Sequence, residues 1–117
     1  MATNSQIAFN PQGNTVAVAA AGTAPAGVQA PVYEKFNAQA TGQYRFVNAG
    51  SSAVFLGTGP TEALAQAAAV APVAGVPSGA IVLLPGAVEV LRFGKDTFFS
   101  GLSSAATTVY ITPGQGL

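Results

Sequence analysis

Between Leu84 and Gly101 the chain reads Leu-Pro-Gly-Ala-Val-Glu-Val-Leu-Arg-Phe-Gly-Lys-Asp-Thr-Phe-Phe-Ser-Gly, and this stretch limits the fold more than any other. Pro85-Gly86 is turn punctuation. From Val88 to Phe93 the residues then fall on two sides, Val88, Val90 and Arg92 against Glu89, Leu91 and Phe93. A period of two is the period of a strand and excludes an amphipathic helix there. Gly94-Lys95-Asp96 has the length of a hairpin tip, so Thr97 to Ser100, carrying Phe98 and Phe99, is expected to return as the partner strand.

Other segments repeat the pattern. Gln43 to Asn48 alternates, with Tyr44 and Phe46 on one face and Arg45 and Val47 on the other. Ala49-Gly50-Ser51-Ser52 turns and Ala53 to Leu56 continues, which predicts a second hairpin with a four-residue loop. Ile81 to Leu84 suits a buried strand. Ala106 to Thr112 is dominated by β-branched residues and is expected to stop at Pro113-Gly114-Gln115-Gly116.

Thr58 to Val70 is the one helix candidate, with Thr61 as cap, Glu62 in the first turn and Leu64 and Val70 as its large apolar anchors; an alanine-rich loop is the alternative. Residues 1–41 are loosely organised. Pro11-Gln12-Gly13-Asn14 turns, Thr15 to Ala21 suits a strand, and Gly22 to Pro31 is small, uncharged and proline-spaced. Val32 to Phe36 suits a further short extended piece anchored by Tyr33 and Phe36. This N-terminal arm is expected to supply one or two outer strands or to reach onto a neighbour. The sum is one all-β domain spanning residues 1–117, an antiparallel β-sandwich or barrel of jelly-roll or immunoglobulin type.

The scarcity of charge decides what such a domain can do. Only 7% of the 117 residues are charged, against roughly 25% in an ordinary soluble domain. Four bases and four acids cancel, and a domain of zero net charge tends to associate. Lys35, Arg45, Arg92 and Lys95 are too few and too mixed with acids to make a nucleic-acid surface. The 26 uncharged residues between Glu62 and Glu89 are long enough to span a bilayer, but Pro72, Gly75, Pro77, Gly79, Pro85 and Gly86 interrupt them. The chain carries no Lys or Arg before Lys35, so a secretory signal with a basic start is not expected, and the reading is of a soluble protein.

Neither cysteine nor histidine occurs, which removes disulfides, the usual zinc sites and Cys- or His-based catalysis. Gly57-Thr58-Gly59-Pro60 lacks the ending of a phosphate loop and reads as a strand-ending turn. Ser100 does not complete a nucleophile elbow. Glu89 and Arg92 point to opposite faces, so a cross-strand partner such as Arg45 is expected for Glu89. The expectation is a protein that is not an enzyme, with no catalytic, metal or cofactor residues.

Four segments in order carry a likeness to a known group. They are Gln43-Tyr-Arg-Phe-Val-Asn-Ala-Gly50, Val54-Phe-Leu-Gly57, Leu84-Pro-Gly-Ala-Val-Glu-Val-Leu-Arg-Phe93 and Thr108-Val-Tyr-Ile-Thr-Pro-Gly-Gln-Gly116. Over residues 41–117 the chain resembles the capsid cement (decoration) proteins of tailed bacteriophages, which have a β-sandwich or jelly-roll fold. The resemblance implies a structural virion protein, made in the bacterial cytoplasm, that docks on the capsid exterior and bridges major capsid subunits. It further implies self-association as dimers or trimers at a symmetry axis. Other classes stay open: a glycan- or receptor-binding module, or a tail or connector component. Contact through the arm (Ala2 to Pro31) and one exposed sheet face is expected, so that deleting residues 2 to 21 weakens attachment more than the fold.

Overall fold

The computed structural model describes residues 9–11, 13–30, 41–94 and 96–115. The expected extended piece at Val32 to Phe36, with its Tyr33 and Phe36 anchors, and Lys95 of the expected hairpin tip lie outside the described residues.

Strands β1 (Asn10–Pro11), β2 (Val16–Ala20), β3 (Val28–Gln29), β4 (Thr41–Asn48) and β5 (Val54–Gly59) precede helix α1 (Glu62–Ala68). Strands β6 (Ile81–Leu83), β7 (Val88–Gly94), β8 (Phe98–Ser103) and β9 (Thr107–Gln115) follow it. The strand pairs nest: β2 with β9, β3 with β8, β4 with β7 and β5 with β6, all antiparallel. The chain is thus one long antiparallel ribbon, doubled back at the helix. Rolling the ribbon adds β4 beside β9 and β5 beside β8, giving sheets β1/β2-β9-β4-β7 and β3-β8-β5-β6. That winding is a jelly roll.

Both expected hairpins are corrected by this topology. β7 pairs with β4 and β8 with β5, so the strands joined through 94–97 belong to opposite sheets. The same is true of β4 and β5, joined through 49–53. A period of two and a short turn fit a hairpin and a sheet-to-sheet crossing equally well. What separates them is the aromatic content. A hairpin would set Phe93 and Phe99 on neighbouring strands, whereas the crossing brings them together from opposite sheets across the core, with ring centroids 5.1 Å apart and edge to face. Phe99 also meets Phe46 at 5.3 Å and Tyr44 at 6.2 Å, so one ring from one sheet receives three from the other.

Val18, Tyr44, Phe46, Val54, Leu56, Leu83, Val109 and Ile111 are fully buried around Phe99. The face assignments expected for β4 and β7 hold: Tyr44 and Phe46 are buried, Arg45 is exposed, and Leu91 and Phe93 pack on the core. Strand β9 runs past its expected stop. Pro113 sits opposite Tyr44 and Gly114 opposite Gln43 and Pro11. Proline is tolerated mid-sheet here because it falls between the ends of β1 and β2, where the outer ladder is interrupted. Glu89 lies opposite Phe46, and Arg45 opposite Val90, so the expected Arg45–Glu89 cross-strand pair is not formed: the two occupy opposite faces.

Outer strands β2 and β3 are joined by a chain that passes from one sheet to the other. Ala21 bridges to Leu102 of β8, and Ser103 N donates to Ala21 O at 2.9 Å. Val18, Ala20 and Ala30 are core residues. A deletion through residue 21 therefore removes core, and attachment cannot be separated from folding at that boundary.

Because Phe99 joins three rings, Phe99→Ala is expected to destabilise the fold by about 3–5 kcal/mol. Urea unfolding of the variant checks this, and a loss below about 1 kcal/mol would contradict the hub.

Candidate interaction surface

The outer face of the second sheet explains why β5 ends in Gly-Thr-Gly. Gly57 and Gly59 point away from the core and form a flat patch on which α1 lies. A Cβ on Gly57 would fall on Ala69 N, Ala65 O and Ala68 C, and one on Gly59 would stand 2.9 Å from Ala65 N. The glycines are thus part of the strand, not a turn after it. They permit helix backbone to touch sheet backbone.

The helix itself begins where expected. Thr61 caps it, its hydroxyl accepting from Leu64 N at 3.2 Å, and Glu62 occupies the first turn. Its anchors differ from the expected ones. Ala65 and Ala69 are buried while Leu64 and Val70 are about half exposed, since only a methyl fits against Gly57 and Gly59. The segment before β3 clamps the other flank: Gln66 Nε2 donates to Ala24 O at 2.7 Å and Gly27 N to Glu62 O at 3.2 Å. Beneath it, the Ser100 hydroxyl donates to Pro25 O at 2.6 Å.

From the helix the chain enters a self-closed finger. Val76 N donates to Val73 O at 2.9 Å around Gly75, whose φ of +80° suits glycine. Ser78 then closes the base, its hydroxyl donating to Val70 O at 3.5 Å and accepting from Ala80 N at 3.2 Å. Every residue from 70 to 77 is exposed, including Val73 at 64% and Val76 at 61%. The finger leads into β6, an edge strand, where the expected buried run is only half buried: Leu83 is fully buried, but Val82 and Leu84 are exposed.

Eight large apolar residues are exposed among the described residues. Seven of them (Leu64, Val70, Val73, Val76, Val82, Leu84, Val88) lie in the 26-residue uncharged stretch between Glu62 and Glu89. Apolar exposure and absence of charge therefore coincide on one continuous segment. Exposed large apolar side chains gathered on one uncharged segment suit an interaction surface.

Asn48 holds the root of this segment. It is fully buried, and its amide nitrogen donates to Leu83 O and Ser52 O, both at 2.9 Å. Its side-chain oxygen accepts from Gly50 N at 3.0 Å, and its backbone exchanges bonds with Ala87 and Gly86. One asparagine thus fixes both sheet-to-sheet crossings at that end.

Near the other end β6 is too short to finish its sheet. It pairs only with Val54, Phe55 and Leu56, so among the described residues Gly57 to Gly59 have no strand partner on the side away from β8. The two sheets part there into an open-sided groove of about 390 Å³ lined by Thr58, Gly59, Pro60, Phe93, Gly94, Asp96 and Thr97. Nearby, the fully buried Tyr44 hydroxyl has no hydrogen-bond partner among the described residues. Its burial, and secondarily the charge of Asp96, push its pKa above the ordinary 10.0.

The charged residues among those described are Arg45, Glu62, Glu89, Arg92 and Asp96, and no cluster of three potential metal ligands occurs among the described residues. No helix among them is long and apolar enough to cross a membrane. No protein family, curated protein or solved structure matched the chain.

Gly57→Val should displace α1 and cost roughly 2–3 kcal/mol, visible as a lower urea midpoint with reduced helical circular dichroism. Tyr44→Phe should leave stability unchanged or higher at neutral pH, since it removes an unpaired buried hydroxyl. A raised folded-state pKa means that the unfolded chain loses the Tyr44 proton first, so stability falls as pH rises above about 10. Thermal melts across that range should show a smaller alkaline loss in Tyr44→Phe than in the wild type.

Proposed function

We propose that this chain is a structural virion protein that binds the outside of a phage capsid and stabilises it by bridging neighbouring major capsid subunits. The observation that carries the reading is the concentration of seven of the eight exposed large apolar residues described in the 26-residue uncharged segment between Glu62 and Glu89. Such a surface gains by being covered, and a partner that covers it without burying unpaired charge is itself weakly charged there. A rigid jelly roll is suited to the task, since its strands hold the surface in shape before contact and little ordering remains to be done on binding. On this reading the protein acts by covering surface and performs no catalytic step.

The mechanism is area burial repeated over a lattice. At about 25 cal/mol per Å², some 1,000 Å² of apolar contact yields on the order of 25 kcal/mol before association costs are subtracted. Contacts with more than one coat subunit add avidity without any new chemistry. The proposed docking residues are those at the root of the uncharged segment, Leu84 and Val88, which project next to the crossing fixed by Asn48.

Quantitative mass spectrometry of purified particles is expected to find hundreds of copies per head; a handful of copies would assign the protein to a tail and overturn the cement reading. The double variant Leu84→Glu/Val88→Glu should keep its melting temperature within a few degrees, both residues being exposed. It should also occupy shells at least about tenfold less well in co-sedimentation. Wild-type occupancy by that variant would place the contact elsewhere.

A further inference from the structure

Every described strand ladder joins a segment before the finger to one after it. Strands β1, β2 and β4 pair with β9, β4 also with β7, β3 and β5 with β8, and β5 also with β6. Among the described residues no two strands on the same side of the finger pair with each other. The Ala21–Leu102 bridge spans the same divide, as do the bonds from Ser100 Oγ to Pro25 O, Ser103 Oγ to Ala53 O and Asn48 Nδ2 to Leu83 O. So does the ring cluster, with Tyr44 and Phe46 from the first part and Phe93 and Phe99 from the second. We infer that Val73 to Gly75 of the finger is a cleavage site for an endopeptidase of small apolar specificity, and that the cut leaves a two-chain protein with its fold unchanged. The inference rests on topology and is independent of the cement reading.

Access comes first. Residues 70–77 are all exposed, and the loop is closed by the Val76 N to Val73 O bond at 2.9 Å and the Ser78 Oγ to Val70 O bond at 3.5 Å. Opening it disturbs no sheet, and exposed tips of small residues are where chains are nicked. Residues 63–88 hold no Lys or Arg, so a protease that requires a basic residue has no bond to cut there. Ala71-Pro72-Val73-Ala74-Gly75 instead offers small apolar residues, which a shallow apolar specificity pocket accepts. Pro72 and Pro77 withhold an N–H and fix φ, which disfavours the bonds at Ala71 and Val76 and leaves those following Val73 and Ala74.

The reaction consumes one water. The peptide C–N bond breaks, the carbonyl carbon takes the hydroxyl, and the acid proton passes to the released amine. A carboxylate and an ammonium result, both at exposed residues, so no buried group loses a partner. Both members of every described ladder remain, and the parts can separate only if all ladders and the ring cluster open together. Neither part alone keeps a described ladder, so each depends on the other for its sheets.

The test treats the full chain with pancreatic elastase under native conditions and reads the products by mass spectrometry. Fragments ending at Val73 or Ala74 are expected, with their partners beginning at the next residue. The two should elute together at the position of the uncut chain and keep its far-ultraviolet circular dichroism. Parted in urea and returned to buffer, each fragment alone should lack the sheet signal, and an equimolar mixture should regain it. The variant Ala74→Arg, at an exposed position outside the core, carries the cut over to trypsin. Trypsin should cut after residue 74 at least about tenfold faster than after Arg45 or Arg92, which lie in the β4–β7 ladder. A wild type left uncut between residues 73 and 75, fragments that part without urea, or a fragment that folds alone would each overturn the inference. So would a variant cut no faster at residue 74 than at Arg45 and Arg92.

Discussion

Everything in this fold depends on contact between rings across two sheets. Phe99 from one sheet meets Tyr44, Phe46 and Phe93 from the other, and the short connections on either side of β7 and between β4 and β5 exist to bring those faces together. No two strands joined by a short connection pair in these segments; every ladder joins residues distant in sequence, such as Val16 with Ile111. The cost of closing such long loops must be met before any pair forms, which puts the chain among slowly folding topologies. It also means that the sheets are not independently stable. A roll of this kind is held by its core or not at all.

Small residues take the place that charge takes in other domains. In most proteins a helix on a sheet keeps its distance through large apolar side chains and displays ionised ones to water. Here α1 is laid directly on Gly57 and Gly59, with Ala65 and Ala69 as the only inward residues, and hydrogen bonds from Gln66 and Gly27 fasten its flank. Close approach secures the helix without large side chains, so Leu64 and Val70 are left facing outward. The exposed apolar surface is therefore a direct consequence of how the helix is packed.

Much of this was legible in the residues. Period-two alternation located β4 and β7 and sorted their faces, because burial of one face leaves a trace in every second residue, and β-branched content located β9. Thr61 and Glu62 marked the helix start for equally local reasons. What was not legible is whether a short turn stays in a sheet or leaves it, since Gly94 to Thr97 and Ala49 to Ala53 serve either purpose. The helix anchors were misjudged for a related reason. Size suggested Leu64 and Val70, yet the deciding fact was the glycine surface opposite, which lies in another element and leaves no mark on the helix. The uncharged segment was visible as composition, but its exposure was not: an apolar run reads the same on an edge strand as in a buried one, and only the shortness of β6 reveals the difference.

That shortness links the two ends of the argument. A β6 extended by three residues would set Ala80, Gly79 and Ser78 opposite Gly57, Thr58 and Gly59, and the finger at Val73 to Val76 would still project beyond the sheet. The shortness of β6 thus leaves both the end of β5 and the apolar finger exposed on the same molecule, and geometry, not charge, decides what that surface presents.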